Sequence, residues 1–301
     1  ELGFARFVVS DWAALNQLPG NYATQVETAV NAGVDMIMEP YQHRECVSVL
    51  RAGASAGRIP LTRIDDAVKR ILRQKLALGL FAHPLTDRSL LPQVGSAAHR
   101  AVARDAVRQS LVLLQNRGAT LPLSKTASRI HVSGKNADDL GSQCGGWSMT
   151  WQGVTGTLTT GTTILQAIRA TVSAGTQVTF TRDGSGAGGA TAAVVVVGER
   201  PYAEGQGDRS DLSLDAEDVA AIQRVASTGV PTIVVLVSGR PLILCDTLAD
   251  ADALVAAWLP GTEGQGAADV LFGDYRPTGR LSHTWPRTMS LTCGASKPIN
   301  L

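Results

Sequence analysis

The sequence predicts an α/β fold built in two parts. Strand-like apolar runs alternate with helical periodicities along most of its 301 residues. Some runs, above all AAVVVV at 192–197, are apolar at every position, the pattern of parallel strands buried on both faces. Length adds a soft expectation of two domains, at roughly 150 residues each.

The first part reads strand, helix, strand, helix. FARFVVSD is a short strand-type run ending at Asp11. Asn21 to Asn31 has helical spacing, with Tyr22, Val26 and Val30 on one face and Gly33 as the stop. VDMIM is a second buried-type strand closed by Glu39 and Pro40, and HRECVSVLRAG a second helix ended by Gly53. In IPLTRIDDAVKRILRQKLALGLF, Thr62 is a candidate cap with Asp65 three residues on, and Ile64, Val68, Ile71, Leu72 and Leu76 form an apolar stripe. Residues 82–98 carry Pro84, Pro92 and Gly95 among polar residues and read as a linker. A helix, AAHRAVARDAVRQS, then runs into the apolar LVLL.

Beyond residue 129 the alternation is regular. Strand-like IHVSG, QVTFT, AAVVVV, TIVVLV and ALVAAW are interspersed with helical TTILQAIRATV, AEDVAAIQRVAS, RPLILCDTLA and QGAADVLFG. This second part has the makings of a complete doubly wound domain. The first does not: two β/α units cannot close a barrel, and two parallel strands leave open edges.

Composition removes several function classes. A net charge of +1 argues against a general polyanion binder, so no nucleic acid is expected. No apolar run reaches the roughly 18 residues of a membrane span. ELGFARFVV lacks the basic leader, apolar core and cleavage site of a signal peptide. Cys46, Cys144, Cys245 and Cys293 are scattered, and the five histidines show no ligand spacing, so neither a metal nor a redox motif is expected. There is no GxSxG elbow.

Active residues of parallel α/β folds collect just past the C-terminal ends of strands. Asp11 stands there, with Trp12 beside it. A cap or turn role explains the position of Asp11 equally well, and a lone tryptophan is more often core. The loop GERPYAEGQGDRSDL, residues 198–212, carries Glu199, Glu204, Asp208 and Asp211 past AAVVVV; its bland alternative is a solvated surface loop. CGGWSMTWQG, residues 144–153, sets Trp147 and Trp151 among glycines and reads as an aromatic platform. Carboxylates on separate loops plus tryptophans suit glycoside hydrolysis, which needs one ionised and one protonated carboxyl across the scissile bond. Nucleotide binding competes through GTEGQGAADVLFG, which follows a strand and opens a helix, although a tight turn explains it better. GSGAGGA precedes a strand and reads as a connector.

The ordered set FVVSDW, AGVDMIM, RIDDAVKRILRQKLALGLF, SLVLLQN, CGGWSMTWQG, GERPYAEGQGD, SGRP and AAWLPGTEGQGAADVLFGDYRPTGRLSHTWP resembles glycoside hydrolase family 3, in its exo-β-glucanase and β-glucosidase branch. The resemblance implies the last two β/α units of a (β/α)8 barrel with a trailing helix at 1–81, a linker at 82–98, and an α/β sandwich domain with a mostly parallel sheet at 99–301. It implies Asp11 as nucleophile and, within G-E-x-P-Y-x-E, an acid/base glutamate. We place that role on Glu204, further out on the loop, with Glu199 in reserve. It implies that Trp12 and Trp151 clamp a second sugar, and leaves Trp147 to support the loop. The mechanism implied is retaining and exo-acting, releasing glucose from the non-reducing ends of a β-glucan or β-gluco-oligosaccharide, with no metal or cofactor. A secreted or periplasmic location is implied as well. The sequence departs from the family in showing two barrel units only and in its closing segment SLTCGASKPINL. The expectation is therefore a fragment lacking an N-terminal barrel portion, with impaired hydrolysis. The alternative is a non-catalytic carbohydrate-binding or interaction module derived from such an enzyme.

Overall fold

A computed structural model describes residues 3–157 and 159–286, in two compact units that divide between residues 91 and 92. SLTCGASKPINL lies outside the described residues. Among the described residues no helix is long and apolar enough to cross a membrane.

The first unit carries three helices, α1 (Tyr22–Ala32), α2 (His43–Ser55) and α3 (Leu61–Ala77). Asn21 caps α1 by accepting the Thr24 N–H at 3.0 Å. Gly33 ends it at φ 114°, a left-handed value that favours glycine. Gly53 does not end α2, which runs on to Ser55. A Cβ at Gly53 would lie 3.0 Å from Ile59, so this glycine serves close packing instead. Thr62 does not cap α3 either. Pro60 is the cap residue, without a side-chain bond, and Thr62 sits one position inside the helix. The Pro60 ring fixes φ at -61° just before the helix, and its carbonyl accepts the N–H groups of Arg63 and Ile64.

FARFVVSD and VDMIM, expected as strands, are reduced to one parallel bridge between Val9 and Met36. The Met36 N–H donates to Val8 O at 3.0 Å and the Ser10 N–H to Met36 O at 2.9 Å. Each segment has this one backbone neighbour among the described residues, and Val8, Val9, Met36 and Met38 are exposed. A ladder held from one side only gives little return for ordering the chain, so pairing stays minimal.

The second unit contains helix α4 (Ala97–Ser110) and a six-stranded sheet. Its strands are β1 (Val112–Asn116), β2 (Arg129–Ser133), β3 (Gln177–Thr181), β4 (Ala192–Gly198), β5 (Thr232–Val237) and β6 (Ala253–Trp258). Helices α5 (Leu140–Cys144), α6 (Ile164–Thr171), α7 (Ala216–Ala226) and α8 (Gly264–Leu271) connect them. The order is β1-β6-β5-β4-β2-β3, all parallel except β1, which runs antiparallel to β6. The expected α/β fold with a mostly parallel sheet is thus present. Every residue of β4 and β5 is buried, as uninterrupted apolar runs require when helices cover both faces.

RPLILCDTLA is not the expected helix. Ile243 bridges Ser213, and only a 3-10 turn, Cys245–Leu248, follows. Leu242, Ile243 and Leu244 are all buried, and the buried Trp285 indole donates to Leu242 O at 2.8 Å. Three consecutive buried side chains fit an extended segment packed from both sides better than a one-faced helix.

The order places β2 between β3 and β4. The chain goes outward from β2 to β3 and returns past it to β4, so β2/β4 is the switch point where α/β sheets open a crevice at their C-terminal ends. Two loops of interest leave this rim, 134–163 after β2 and 199–215 after β4.

Candidate active site

In the first unit, Ser10 closes the short bridge. Its hydroxyl accepts the Met38 N–H at 2.8 Å and donates to Asp11 O at 3.0 Å. The chain then turns sharply. Asp11 Oδ1 accepts the Trp12 N–H at 2.7 Å, Ala13 takes φ 49°, and the 3-10 turn Ala14–Gln17 follows. Asp11 therefore does serve a turn, while remaining exposed with its second oxygen free of any protein bond among the described residues. Trp12 is 59% exposed. Its indole meets Tyr41 edge-on, at 6.2 Å and 87°, and Nε1 donates to the Tyr41 hydroxyl at 3.4 Å. Tyr41 is itself set by Glu39, whose Oε1 accepts the N–H groups of Tyr41 and Gln42 at 3.0 Å each. Those backbone bonds, the Gln42 one foremost, hold the Glu39 carboxyl below its ordinary range. Sequence reasoning misses Tyr41 and Glu39 as site residues. The signal that could have found them is the EPY triplet just past VDMIM, the same strand-end position that singles out Asp11.

In the second unit the two glutamates of 198–212 differ sharply. Glu199 is 8% exposed. Its Oε1 pairs with Arg240 Nε at 3.1 Å, and its Oε2 accepts from the Tyr202 hydroxyl at 3.0 Å and the Gly239 N–H at 3.2 Å. Arg240 also stacks 4.4 Å from the centre of the Tyr202 ring and donates to Gly207 O at 2.6 Å. Such a carboxylate is locked by charge and hydrogen bonds and tied to holding the loop. Glu204 has none of this. It opens the 3-10 turn Glu204–Gly207 at φ 51°, is exposed, and has no side-chain partner among the described residues.

The tryptophan loop packs on the same turn. Gln152 Oε1 accepts the Ala203 N–H at 2.9 Å. A Cβ at Gly146 would lie 2.0 Å from Tyr202 O, and one at Gly153 would lie 2.7 Å from Pro201, so glycine permits this approach. The Trp147 N–H donates to Trp151 O at 2.8 Å, and the two rings stand 6.3 Å apart at 48°. Trp147 is 69% exposed, more than Trp151 at 51%. Its ring therefore points outward and does not support the loop from within. Among the described residues six non-glycine residues have positive φ, and Ala13, Trp147, Met149 and Glu204 are four of them. Backbone strain of this kind costs on the order of 1–3 kcal/mol per residue and gathers at functional loops.

GTEGQG looks inward instead. Glu263 accepts from Arg100 Nε at 2.8 Å, and Cβ atoms at Gly264 and Gly266 would lie 2.6 Å from Thr162 O and 2.7 Å from Val107. These glycines let α8 pack closely, and the nucleotide reading loses its ground. Among the described residues no group of three or more potential metal ligands exists.

The described features define a two-unit α/β protein whose parallel sheet carries glutamates and tryptophans on the loops past its strands. Residues 111–298 match the glycosyl hydrolase family 3 C-terminal domain and residues 1–74 the family 3 N-terminal domain. The chain belongs to glycosyl hydrolase family 3. It is 33% identical over 96% of its length to the lysosomal beta glucosidase of Dictyostelium discoideum, covering 39% of that protein. A solved structure of the exo-1,3/1,4-beta-glucanase of a Pseudoalteromonas species superposes with a TM-score of 0.90 at 38% identity, over 99% of this chain and 51% of that one. The beta-glucosidase of Listeria innocua, solved in complex with laminaribiose, superposes with a TM-score of 0.82 at 27% identity, over 95% of this chain and 41% of that one. The chain thus spans about two fifths to one half of these proteins.

Proposed function

We propose that this chain carries the catalytic pair of a retaining, exo-acting β-glucoside and β-glucan hydrolase, with residues 1–81 corresponding to the last two units of a (β/α)8 barrel. Asp11 attacks the anomeric carbon as the bond to the leaving oxygen breaks, giving a glycosyl ester on the enzyme. Glu204 gives its proton to the departing oxygen, then takes a proton from water as that water attacks the ester and frees the sugar. Trp12 and Trp151 offer apolar faces for the second sugar. Glucose is the expected product, and no metal or organic cofactor takes part.

The observation that carries the acid/base assignment is the contrast between the free, exposed Glu204 and the ion-paired, buried Glu199. Hydrolysis by the 301-residue chain is expected to be weak, because the segment that presents Asp11 is held by a single isolated bridge.

A fluorinated glucoside inactivator tests the pair directly. Peptide mass spectrometry should find the glycosyl adduct on Asp11, absent in Asp11→Asn. Glu204→Ala should slow hydrolysis of poor leaving groups far more than activated ones, with azide restoring part of the rate. The same pattern in Glu199→Ala would overturn the assignment.

A further inference from the structure

The loop that carries Glu204 leaves β4 at Gly198 and ends at Asp215, where α7 begins. Both ends meet one side chain. Lys135 lies two residues past β2, and its side chain is only 5% exposed. Its Nζ donates to Asp215 Oδ2 at 2.5 Å and lies 3.0 Å from Asp218 Oδ2 and 3.4 Å from Glu217 Oε1. Asp218 Oδ2 also accepts the Gly198 N–H at 3.2 Å. One ammonium therefore reaches the far end of the loop directly and the near end through a single carboxylate oxygen.

Two features argue that this tie does more than balance a buried charge. Asp215 occupies the cap position of α7, where an aspartate ordinarily accepts a helix N–H. It makes no such bond, and its carboxylate turns to Lys135 instead, 80 residues away in sequence. Compensating the buried Asp218 requires one contact only, yet the shortest contact goes to the exposed Asp215. Lys135 is itself held in place by its neighbours. The Asn136 N–H donates to Val196 O at 3.2 Å and its Nδ2 to Glu199 O at 3.1 Å. A Cβ at Gly134 would lie 2.1 Å from Val196 O, so glycine permits the chain to run this close to β4. Glu204 has no side-chain partner among the described residues, so its place is set by the backbone that carries it.

We infer that Lys135 is a positioning residue for the Glu204 turn: it staples the two ends of the 199–215 loop together and so sets where the carboxyl of Glu204 stands. This rests on the acid/base reading above and adds to it a residue that acts through the ends of the loop.

The full chain is compared as wild type, Lys135→Met, Asp215→Ala and Glu204→Ala, with thermal melts confirming that each is folded. Asp215→Ala cuts the tie while Lys135 still balances Asp218, which keeps the test open if Lys135→Met does not fold. Hydrogen exchange reads the loop without turnover. The bonded amides of Ala203 and Asp208 should exchange about tenfold faster in Asp215→Ala, with those of Val194–Val197 unchanged. The ratio of hydrolysis rates for activated over poor leaving groups should rise about tenfold too, the Glu204→Ala pattern in weaker form. Asp269→Ala, which removes a buried carboxylate of α8, controls for stability loss alone and should leave that ratio unchanged. Unchanged exchange at Ala203 and Asp208, or a ratio that rises equally in Asp269→Ala, would overturn the inference. So would faster exchange with an unchanged ratio where Glu204→Ala raises it. No rise in Glu204→Ala itself would count against the acid/base reading, and the exchange rates would then decide the staple alone.

Discussion

The two units of this protein are written in the same alphabet of apolar runs and amphipathic helices, yet they reach different ends. In the second unit β4 and β5 have neighbours on both sides and every residue buried. In the first unit FARFVVSD and VDMIM share one bridge and leave Val8, Val9, Met36 and Met38 exposed. A strand is completed by its neighbours, and apolar burial, at about 25 cal/mol per Å², grows with the area those neighbours cover. The catalytic candidates divide along the same line. Asp11 and Trp12 stand on the thinly paired unit, Glu204 and the Trp147/Trp151 loop on the six-stranded sheet.

The largest effect expected from this contrast is in hydrogen exchange. Amides of Val194–Val197 in β4, and of Val234 and Val235 in β5, should exchange at least about a thousandfold more slowly than those of Ser10 and Met36, because core strands open only globally. Comparable protection in both sets would erase the difference between the units.

The next concerns what holds the closed unit shut. Asp269 of α8 is fully buried between Arg104 and Arg108 of α4, at 2.6 Å from Arg104 and 2.5 Å from Arg108. Burial pulls its carboxyl up, but the hydrogen bonds from Arg104, Arg108 and Gln265 and the Arg104 charge together hold it below the ordinary range. Asp269→Ala strands two guanidinium groups and should destabilise the second unit by about 3–5 kcal/mol in denaturant unfolding, with little effect on exchange at Ser10 and Met36. A loss shared equally by both units would show that they unfold together.

A smaller effect is written in pH. Burial pushes Asp218 up to about 6, against the pull of Lys135, 3.0 Å away. Its protonated form is the one the fold favours. Its contribution is therefore fully present below the unfolded value near 3.8 and is lost as pH rises through about 6. Between about pH 4 and pH 7 the wild type should lose on the order of 2 kcal/mol relative to Asp218→Asn. Urea midpoints at the two pH values measure this, and a constant difference would contradict it.

Much of the second unit is legible from sequence. The runs at β4, β5 and β6 read as buried strands because they are short, apolar and alternate with helical segments, and the periodicities of α4, α6, α7 and α8 stand out. RPLILCDTLA misleads because a short apolar run has no period of its own; its partners, Ser213 and Trp285, lie far away in sequence. Gly53 and Thr62 show the same limit. Each is an ordinary helix signal that a neighbour, Ile59 or Pro60, redirects.

The α/β class, the parallel sheet and the family are all written locally, since they rest on composition, short-range periodicity and ordered motifs. The same local signals set the candidates, Asp11, Trp12, Trp151, Glu199 and Glu204, on loops past strand ends. Folding is what separates the two glutamates. Arg240, Tyr202 and Gly239 converge on Glu199, Arg240 and Gly239 from a distant part of the chain, and leave Glu204 free. Likewise, the glycines beneath residues 144–153 find their backbone contacts only after folding, and those contacts turn Trp147 outward. Charge pairing and close approach are properties of distances, and distances between residues far apart in sequence exist only once the chain has folded.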